Sequence, residues 1–401
     1  MRQRYNPDFK IAYNLILITF LLILCGIYSL YISLLSDYPD TYSVMLIRQI
    51  LWTFLGILIG SAVLIMDARL LWKLTPIFYG IGLFTITLTL FFYDESTYLS
   101  TGAKNWLAIN GHNLFQPAEF MKIPYILFIG RIIVKHHEDS TDYTCREELK
   151  LLVKLAIVTF PIALLSIFQN DFGTFLVFIV ILIGCLIVSG FSLRILFPII
   201  MVILILCGTA TLLSLSTQGQ EFLKNTIFSQ YQVDRFDAWL HPFRHSQTSS
   251  FQQSNGLIAV GSGGILGNGI DTVNLKIPVR ESDMIFTVIG ENFGFVGAVG
   301  LLLLYFLLLY SILKITVESN KQFYTYVSVG VVMLFLFHIF ENIGAVIGVV
   351  PLTGIPLPFL SQGGSAIVCN IIEVSLVLSM RFNSGHQSNR RDHFKNSTER
   401  S

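Results

Sequence analysis

Apolar runs long enough to cross a bilayer recur at roughly 12–35, 45–66, 70–93, 114–134, 151–168, 172–190, 193–216, 283–314, 324–350 and 364–382, with polar or Gly/Pro-rich stretches between them. The pattern predicts an all-α polytopic membrane protein with ten transmembrane helices. The least regular are the fourth, which carries Glu119 and Lys122, and the fifth and sixth, divided only by the turn from Gln169 to Asp171. Ten crossings return the chain to its starting side, and Lys and Arg in the short loops identify that side. Arg2, Arg4 and Lys10, then Arg69, then Arg131, Lys135, Arg146 and Lys150, then Arg194, then Lys314 and Lys321 fall on one face, whereas the opposite short loops offer only Lys104. Both termini are therefore expected in the cytoplasm. Residues 1–382 form one ten-helix membrane domain, with 217–282 as a large extracellular loop between helices 7 and 8. Residues 383–401 are expected to form a disordered cytoplasmic tail.

Composition agrees with a bilayer protein. Of 401 residues, 53% are hydrophobic and 13% charged, outside the balance of a soluble domain. The first run is too long for a signal-peptide core and stays as a membrane helix. A net charge of +1 with no basic stripe leaves no basis for a nucleic-acid partner. Cys25, Cys185, Cys207 and Cys369 sit in apolar runs and Cys145 in a charged loop, without paired spacing, so they read as small packing residues.

A 66-residue loop is too long to be a plain connection and is expected to carry function. It holds Arg235, Trp239 and the glycine run Gly261 to Gly269. No Gly-Lys-Ser/Thr follows that run, so it reads as close backbone approach to a ligand or another loop, with simple flexibility as the alternative. Glu119 and Lys122, three apart, share a helix face. Their pairing makes burial affordable, either as a polar cavity wall or as an ion pair that sets helix register. His338, Glu341 and Asn342 share a side of the ninth helix and read as an internal hydrogen-bond network. Pro351 to Ser365 is irregular, and irregular backbone at membrane depth implies a lined cavity.

From Ile277 to Gly297 the chain leaves the polar loop and enters an apolar helix, with Asp283 at the join. On a helix running from Asp283, Gly290, Gly294 and Gly297 fall within about 40° of its direction, a small-residue stripe suited to close packing. Asp283 then reads either as an anion capping the helix start or as a functional carboxylate aimed into protein at the membrane surface. Glu291 belongs to the same interior.

Four segments together resemble one family: Gly102-Ala-Lys-Asn-Trp106, Phe115-Gln-Pro-Ala-Glu119 with Lys122, the stretch through Asp283 and Gly290-Glu291, and Pro351 to Ser365. They resemble the SEDS proteins (shape, elongation, division and sporulation) over essentially the whole chain. The Pro-Leu-Thr-Gly-Ile-Pro-Leu-Pro-Phe form looks more like the RodA branch than the FtsW branch. Ala118 and Gln362 stand where the family usually has Ser and Tyr. The resemblance implies a peptidoglycan glycosyltransferase of the cell membrane. Its substrates would be lipid II and the growing glycan strand, and its partners a class B penicillin-binding protein with other elongation-complex membrane proteins. It implies Asp283 as the essential acid and Trp106, Glu119 and Lys122 as cavity residues, with Ser361, Gly363 and Gly364 in the final motif. Asp283 would act as base toward the acceptor hydroxyl, and Lys104, Arg235 and Arg280 are candidates to meet the leaving diphosphate. A divalent cation, Mg or Mn, is a further candidate for that task, without a ligand cluster to show it. A lipid II flippase and a non-catalytic scaffold are the alternatives in other classes.

Overall fold

A computed structural model describes residues 7–109, 111–140, 144–226, 229–244, 250–270, 275–319 and 321–398, with side chains between 13 and 382. In chain order the membrane helices are α1 (Pro7–Asp37), α2 (Tyr42–Ile65) and α3 (Ala68–Leu88). After the short α4 (Glu95–Thr101) come strands β1 (Leu107–Ile109) and β2 (His112–Phe115), then α5 (Pro117–Asp139), α6 (Cys145–Gln169), α7 (Phe172–Val188) and α8 (Leu193–Ser214). The long loop contributes α9 (Thr217–Thr226), α10 (Gln230–Leu240) and α11 (Phe251–Ser262). The chain closes with α12 (Phe286–Glu318), α13 (Gln322–Val346) and α14 (Gly364–Thr398).

Eight of these helices are long and apolar enough to cross a membrane. The other two expected spans, α5 with its ion pair and the 17-residue α7, lie where the hydropathy pattern placed them. The fold is thus all-helical apart from the antiparallel β1–β2 hairpin, which was not anticipated. α14 continues as helix to Thr398, into the stretch expected as a tail.

Buried α13 and α14 form the centre, and α14 packs along α2 while α5, α7 and α12 pack against α13. On α2, Gly56 and Gly60 lie four apart and face α14. An added Cβ at Gly56 would stand 2.9 Å from the Ile371 side chain. Lipid tails supply no hydrophobic drive between helices, so such small-residue contacts carry the association. By contrast α8 buries only Leu196 and Ser214, and its large apolar side chains, Phe197, Leu204 and Leu206 among them, are exposed.

The start of α12 departs from the expected geometry in two ways. Helix begins at Phe286, so Asp283 lies in the preceding turns, and no side chain caps the start. Gly294 has φ 61° and ψ −155°, a backbone state reserved for glycine, and it breaks the helix. The glycine stripe is therefore not one packing face: Gly290 meets Val260 of α11, while Gly297 lies nearest Phe293 and Ile289 of its own helix.

The break is satisfied by the glycine run of the long loop. Asn268 N–H donates to the Glu291 carbonyl (2.9 Å) and Gly269 N–H to that of Asn292 (3.2 Å), while Phe295 and Val296 N–H groups donate to Gly264 (2.9 Å) and Ile265 (3.1 Å). Unpaired backbone groups at membrane depth each cost several kcal/mol, so a loop that supplies partners makes the break tolerable. Close backbone approach to another segment is what these glycines provide, since Gly263 and Gly267 would drive a side chain into the α12 backbone.

Candidate functional site

Ser229 starts α10 with a reciprocal capping box to Gln232. From it Gln232 donates to the Asn170 carbonyl (3.2 Å), Arg235 to the Leu352 carbonyl (2.7 Å) and the Trp239 indole to the Gly348 carbonyl (2.9 Å). Arg235 also bonds Tyr231 and stacks over its ring. The loop helix thereby joins the α6–α7 turn to the irregular segment after α13.

That segment, 351–363, is held residue by residue. Glu341 accepts from the Thr353 N–H (2.9 Å) and hydroxyl, Asn342 donates to the Ile355 carbonyl (2.9 Å), and His338 meets the Pro356 carbonyl (3.2 Å). Asn342 spends its other amide hydrogen on the carbonyl of Asp283 (3.0 Å). Ser361 accepts from Leu357 N–H and donates to the Ser282 carbonyl (2.7 Å), and Gln362 N–H donates to the Glu281 carbonyl (2.8 Å). Asp283 is thus fixed through its backbone by α13 and by the irregular segment together.

Its carboxylate is half-buried and accepts from the Ser282 hydroxyl (3.0 Å). A side chain added at Gly354, whose φ is +84°, would begin 3.3 Å from Asp283 Oδ2 and 3.7 Å from an Arg235 guanidinium nitrogen. Carboxylate and guanidinium therefore converge on one glycine. Loss of hydration raises the Asp283 carboxyl above the ordinary aspartate range, against the pull of Arg235 and the Ser282 bond. Glu281 next to it is raised for the same reason.

Beneath, inside the helices, Glu119 and Lys122 form a buried pair at 2.6 Å, and Lys122 Nζ also lies 3.1 Å from His338 Nε2. An ammonium only donates, so His338 Nε2 is the acceptor and Nδ1 carries the hydrogen toward Pro356. Glu373 of α14 completes this cluster: it is buried, one oxygen has no partner, and both Lys122 and Glu119 act on it. Nothing in a single acidic residue within an apolar run had shown where its helix would place it.

The remaining expected residues divide. Arg280 is fully buried and ion-paired with Glu291, also buried, so the cation proposed for the leaving group is already neutralised inside the protein. A buried arginine released from its carboxylate would cost several kcal/mol, which removes it from that task. Lys104 is half-buried over the rings of Tyr93 (4.6 Å) and Tyr98 (5.0 Å), and half-buried Trp106 belongs to the same loop, its carbonyl accepting from Asp94 N–H (3.3 Å). No contact brings either to Asp283 among the described residues. Gly363 N–H donates to Gln49 (3.1 Å), and Gly364 leaves room for the Trp52 ring, so both are framework. Among the described residues no three His, Cys, Asp or Glu side chains gather as a metal site.

A cavity of about 690 Å³ is lined by Trp52, Phe78, Phe115, Phe120, Ile123 and Ile372, almost wholly apolar, and none of the charged residues above lines it. A family model described as cell cycle protein, FtsW/RodA/SpoVE, matches residues 11–386. The chain belongs to this family.

Individual relatives agree with that placement. Stage V sporulation protein E of Bacillus subtilis is 26% identical over 384 residues, 94% of this chain and 98% of that one. The probable peptidoglycan glycosyltransferase FtsW of Thiomicrospira cyclica is 30% identical over 84% of this chain and 81% of its own length. Peptidoglycan glycosyltransferase RodA of Treponema pallidum is 28% identical over 95% and 99%. A chain from a structure described as "Structural coordination of polymerization and crosslinking by a peptidoglycan synthase complex" superposes with TM-score 0.73 at 25% identity, covering 92% of this chain and 97% of that one. Thermus thermophilus RodA shares the fold, with TM-score 0.63 at 23% identity over 92% and 96%. The FtsW/RodA/SpoVE fold thus extends across the long loop and the site it helps to build.

Proposed function

We propose that this family member is a peptidoglycan glycosyltransferase that polymerises lipid II at the outer face of the cell membrane, in the elongation and shape branch. The observation that carries the reading is the convergence of Asp283 and Arg235 on Gly354. Glycan extension joins the acceptor's 4-hydroxyl oxygen to the anomeric carbon of the growing strand and breaks that carbon's bond to the lipid diphosphate. Asp283 takes the hydroxyl proton, and Arg235 stands where positive charge meets the departing diphosphate. A half-desolvated carboxylate is a better base than one in water, and positioning supplies much of the remaining acceleration. The apolar cavity suits the prenyl chain that carries the sugars into the bilayer.

In the same reading ten helices cross the membrane, both termini are cytoplasmic, and loop 217–282 lies outside where lipid II presents its sugars. A class B penicillin-binding protein is the partner, supported by the peptidoglycan synthase complex in which the similar fold occurs. Purified protein with that partner and lipid II should yield glycan strands on a gel, and Asp283→Asn should abolish them while leaving the protein folded and able to bind the partner. Full polymerisation by Asp283→Asn overturns the assignment of the base. Lipid II movement in sealed vesicles without polymer would favour transport instead.

A further inference from the structure

The turn between α6 and α7 makes more bonds than the joining of two helices requires. The last carbonyls of a helix have no partner inside it. At the end of α6 two of them are taken by other elements: Gln169 accepts from the Lys104 N–H (2.9 Å) and Asn170 from the Gln232 side chain of α10 (3.2 Å). Asn170 stands at φ 56°, a left-handed state that asparagine tolerates, and its side chain donates to the Gly102 carbonyl (3.0 Å). Next to it Asp171 divides its oxygens. Oδ1 caps α7 through the Thr174 N–H (3.2 Å), and Oδ2 accepts from the Asn105 side chain (3.0 Å). Capping accounts for the first oxygen only. The Asn105 oxygen is left buried without a donor, so the bond to Asp171 has to hold this side chain against that cost. Two residues after Asp171, Gly173 abuts the segment that carries the site: a side chain there would begin 3.2 Å from Thr353, which precedes Gly354.

We propose that the α6–α7 turn sets loop 102–106 against the Asp283–Arg235 site, with Asn105 and Asp171 as the positioning residues of the clamp, so that loop and site bind one anionic, lipid-linked saccharide between them. The turn can act as a fixed frame because Gln169 is buried and its side chain donates to the Ile86 carbonyl at the end of α3 (3.1 Å). It joins the elements that bear two cations. Lys104 lies in the clamped loop, and Arg235 follows Gln232 by one helical turn on α10. Lys104 meets two tyrosine rings and Arg235 a carbonyl and a hydroxyl, and neither is bonded to a carboxylate among the described residues. Both are left to face an anion from outside the chain, and a diphosphate suits such cations. Two contact regions held on one frame are ordered before the ligand arrives, which lowers the entropy cost of binding. This role rests on the reading of the site as that of a lipid II polymerase.

The test measures the affinity of the complex of this chain with its partner for lipid II methylated on the GlcNAc 4-hydroxyl, a probe that cannot be extended. Asn105→Asp turns two carboxylates toward each other and should weaken binding about tenfold. Adding Asp171→Asn exchanges the two ends, again sets a nitrogen against an oxygen and keeps an oxygen for the Thr174 cap. Affinity should then return to within about threefold of wild type. Loss of folded protein lowers the number of sites titrated and leaves Kd where it was, which sets the clamp apart from stability alone. A folded Asn105→Asp with the wild-type Kd overturns the proposal, as does a weakening that the exchange does not reverse. Should Asn105→Asp fail to fold, Asn170→Gly takes its place, because glycine accepts the positive φ, keeps the carbonyl for Gln232 and removes the bond to Gly102. It should weaken binding about threefold or more, and an unchanged Kd overturns the proposal. Unmodified lipid II, run alongside with wild type, isolates the reading beneath. Binding of the probe without polymer from unmodified lipid II overturns the polymerase, while the clamp is still judged by Kd.

Discussion

Replacing Lys122 with methionine, close to it in length and apolar, tests whether the buried cluster holds the helices together. The ammonium is 1% exposed, 2.6 Å from Glu119 and 3.1 Å from His338, and the only cation bonded to that carboxylate among the described residues. At an effective dielectric of about 20, a pair at this distance attracts by roughly 6 kcal/mol, most of which offsets the cost of taking both charges out of water. Deleting one partner leaves that cost uncompensated, so Lys122→Met should destabilise the fold by about 3–5 kcal/mol. This is roughly a hundredfold to several thousandfold in the folded-to-unfolded ratio. Adding Glu119→Gln removes the stranded charge and should recover at least about 2 kcal/mol. Recovery stays incomplete because Glu373 remains. Unfolding by a denaturing detergent in mixed micelles, followed by the fluorescence of the four tryptophans, reads both values. A Lys122→Met protein within about 1 kcal/mol of wild type would refute the reasoning, as would a double variant no more stable than the single one.

Two further outcomes follow from the Asp283 site and from the break in α12. Polymerisation should show an acid limb above pH 3.8, because Asp283 must be ionised to act and desolvation raises its carboxyl from that value; a limb at or below it contradicts the half-desolvated base. The same shift means the folded state binds this proton more tightly than the unfolded one, so Asp283 weakens the fold as pH rises through its folded value. Asp283→Asn should therefore be inactive yet more stable than wild type at neutral pH by thermal unfolding. Gly294→Ala places a side chain at φ 61° and 2.7 Å from the Ile265 carbonyl, and should cost about 1–3 kcal/mol. Hydrogen exchange should quicken at the Asn268, Gly269, Phe295 and Val296 amides, and unchanged protection there would contradict the strapped break.

The positions of the spans were legible because a bilayer leaves hydropathy little freedom: each apolar run of sufficient length became a helix within a few residues of its expected ends, save that α14 runs on to Thr398. Features that depend on backbone torsion were not. Gly294 lies inside the expected eighth span, just after Glu291 and Asn292, and its break becomes visible only once the loop through Gly264 to Gly269 is folded back on it. The β1–β2 hairpin was hidden for another reason. Three- and four-residue strands carry too little alternation to register, and the Gly111 turn alone does not distinguish a hairpin from a loop.

For the site, spacing along one helix was informative and neighbours across helices were not. Glu119 with Lys122, and His338 with Glu341 and Asn342, could be paired because residues three and four apart must share a face. Arg280 illustrates the limit: eleven residues before Glu291 and in a loop, it read as an outward cation, whereas folding turns it inward to neutralise that carboxylate. Charge balance sharpens the point. Around Lys122 the structure gathers Glu119 and Glu373, whereas Arg235 meets Asp283 at Gly354. A chain with a net charge of only +1 gives no hint of either gathering. His338 joins them, accepting from Lys122 below and meeting Pro356 of the segment that holds Asp283 above. An ion pair that merely set helix register would have no need of that link. The burial of the lower pair and the geometry of the upper site are therefore parts of one polar column through α13, legible only in three dimensions.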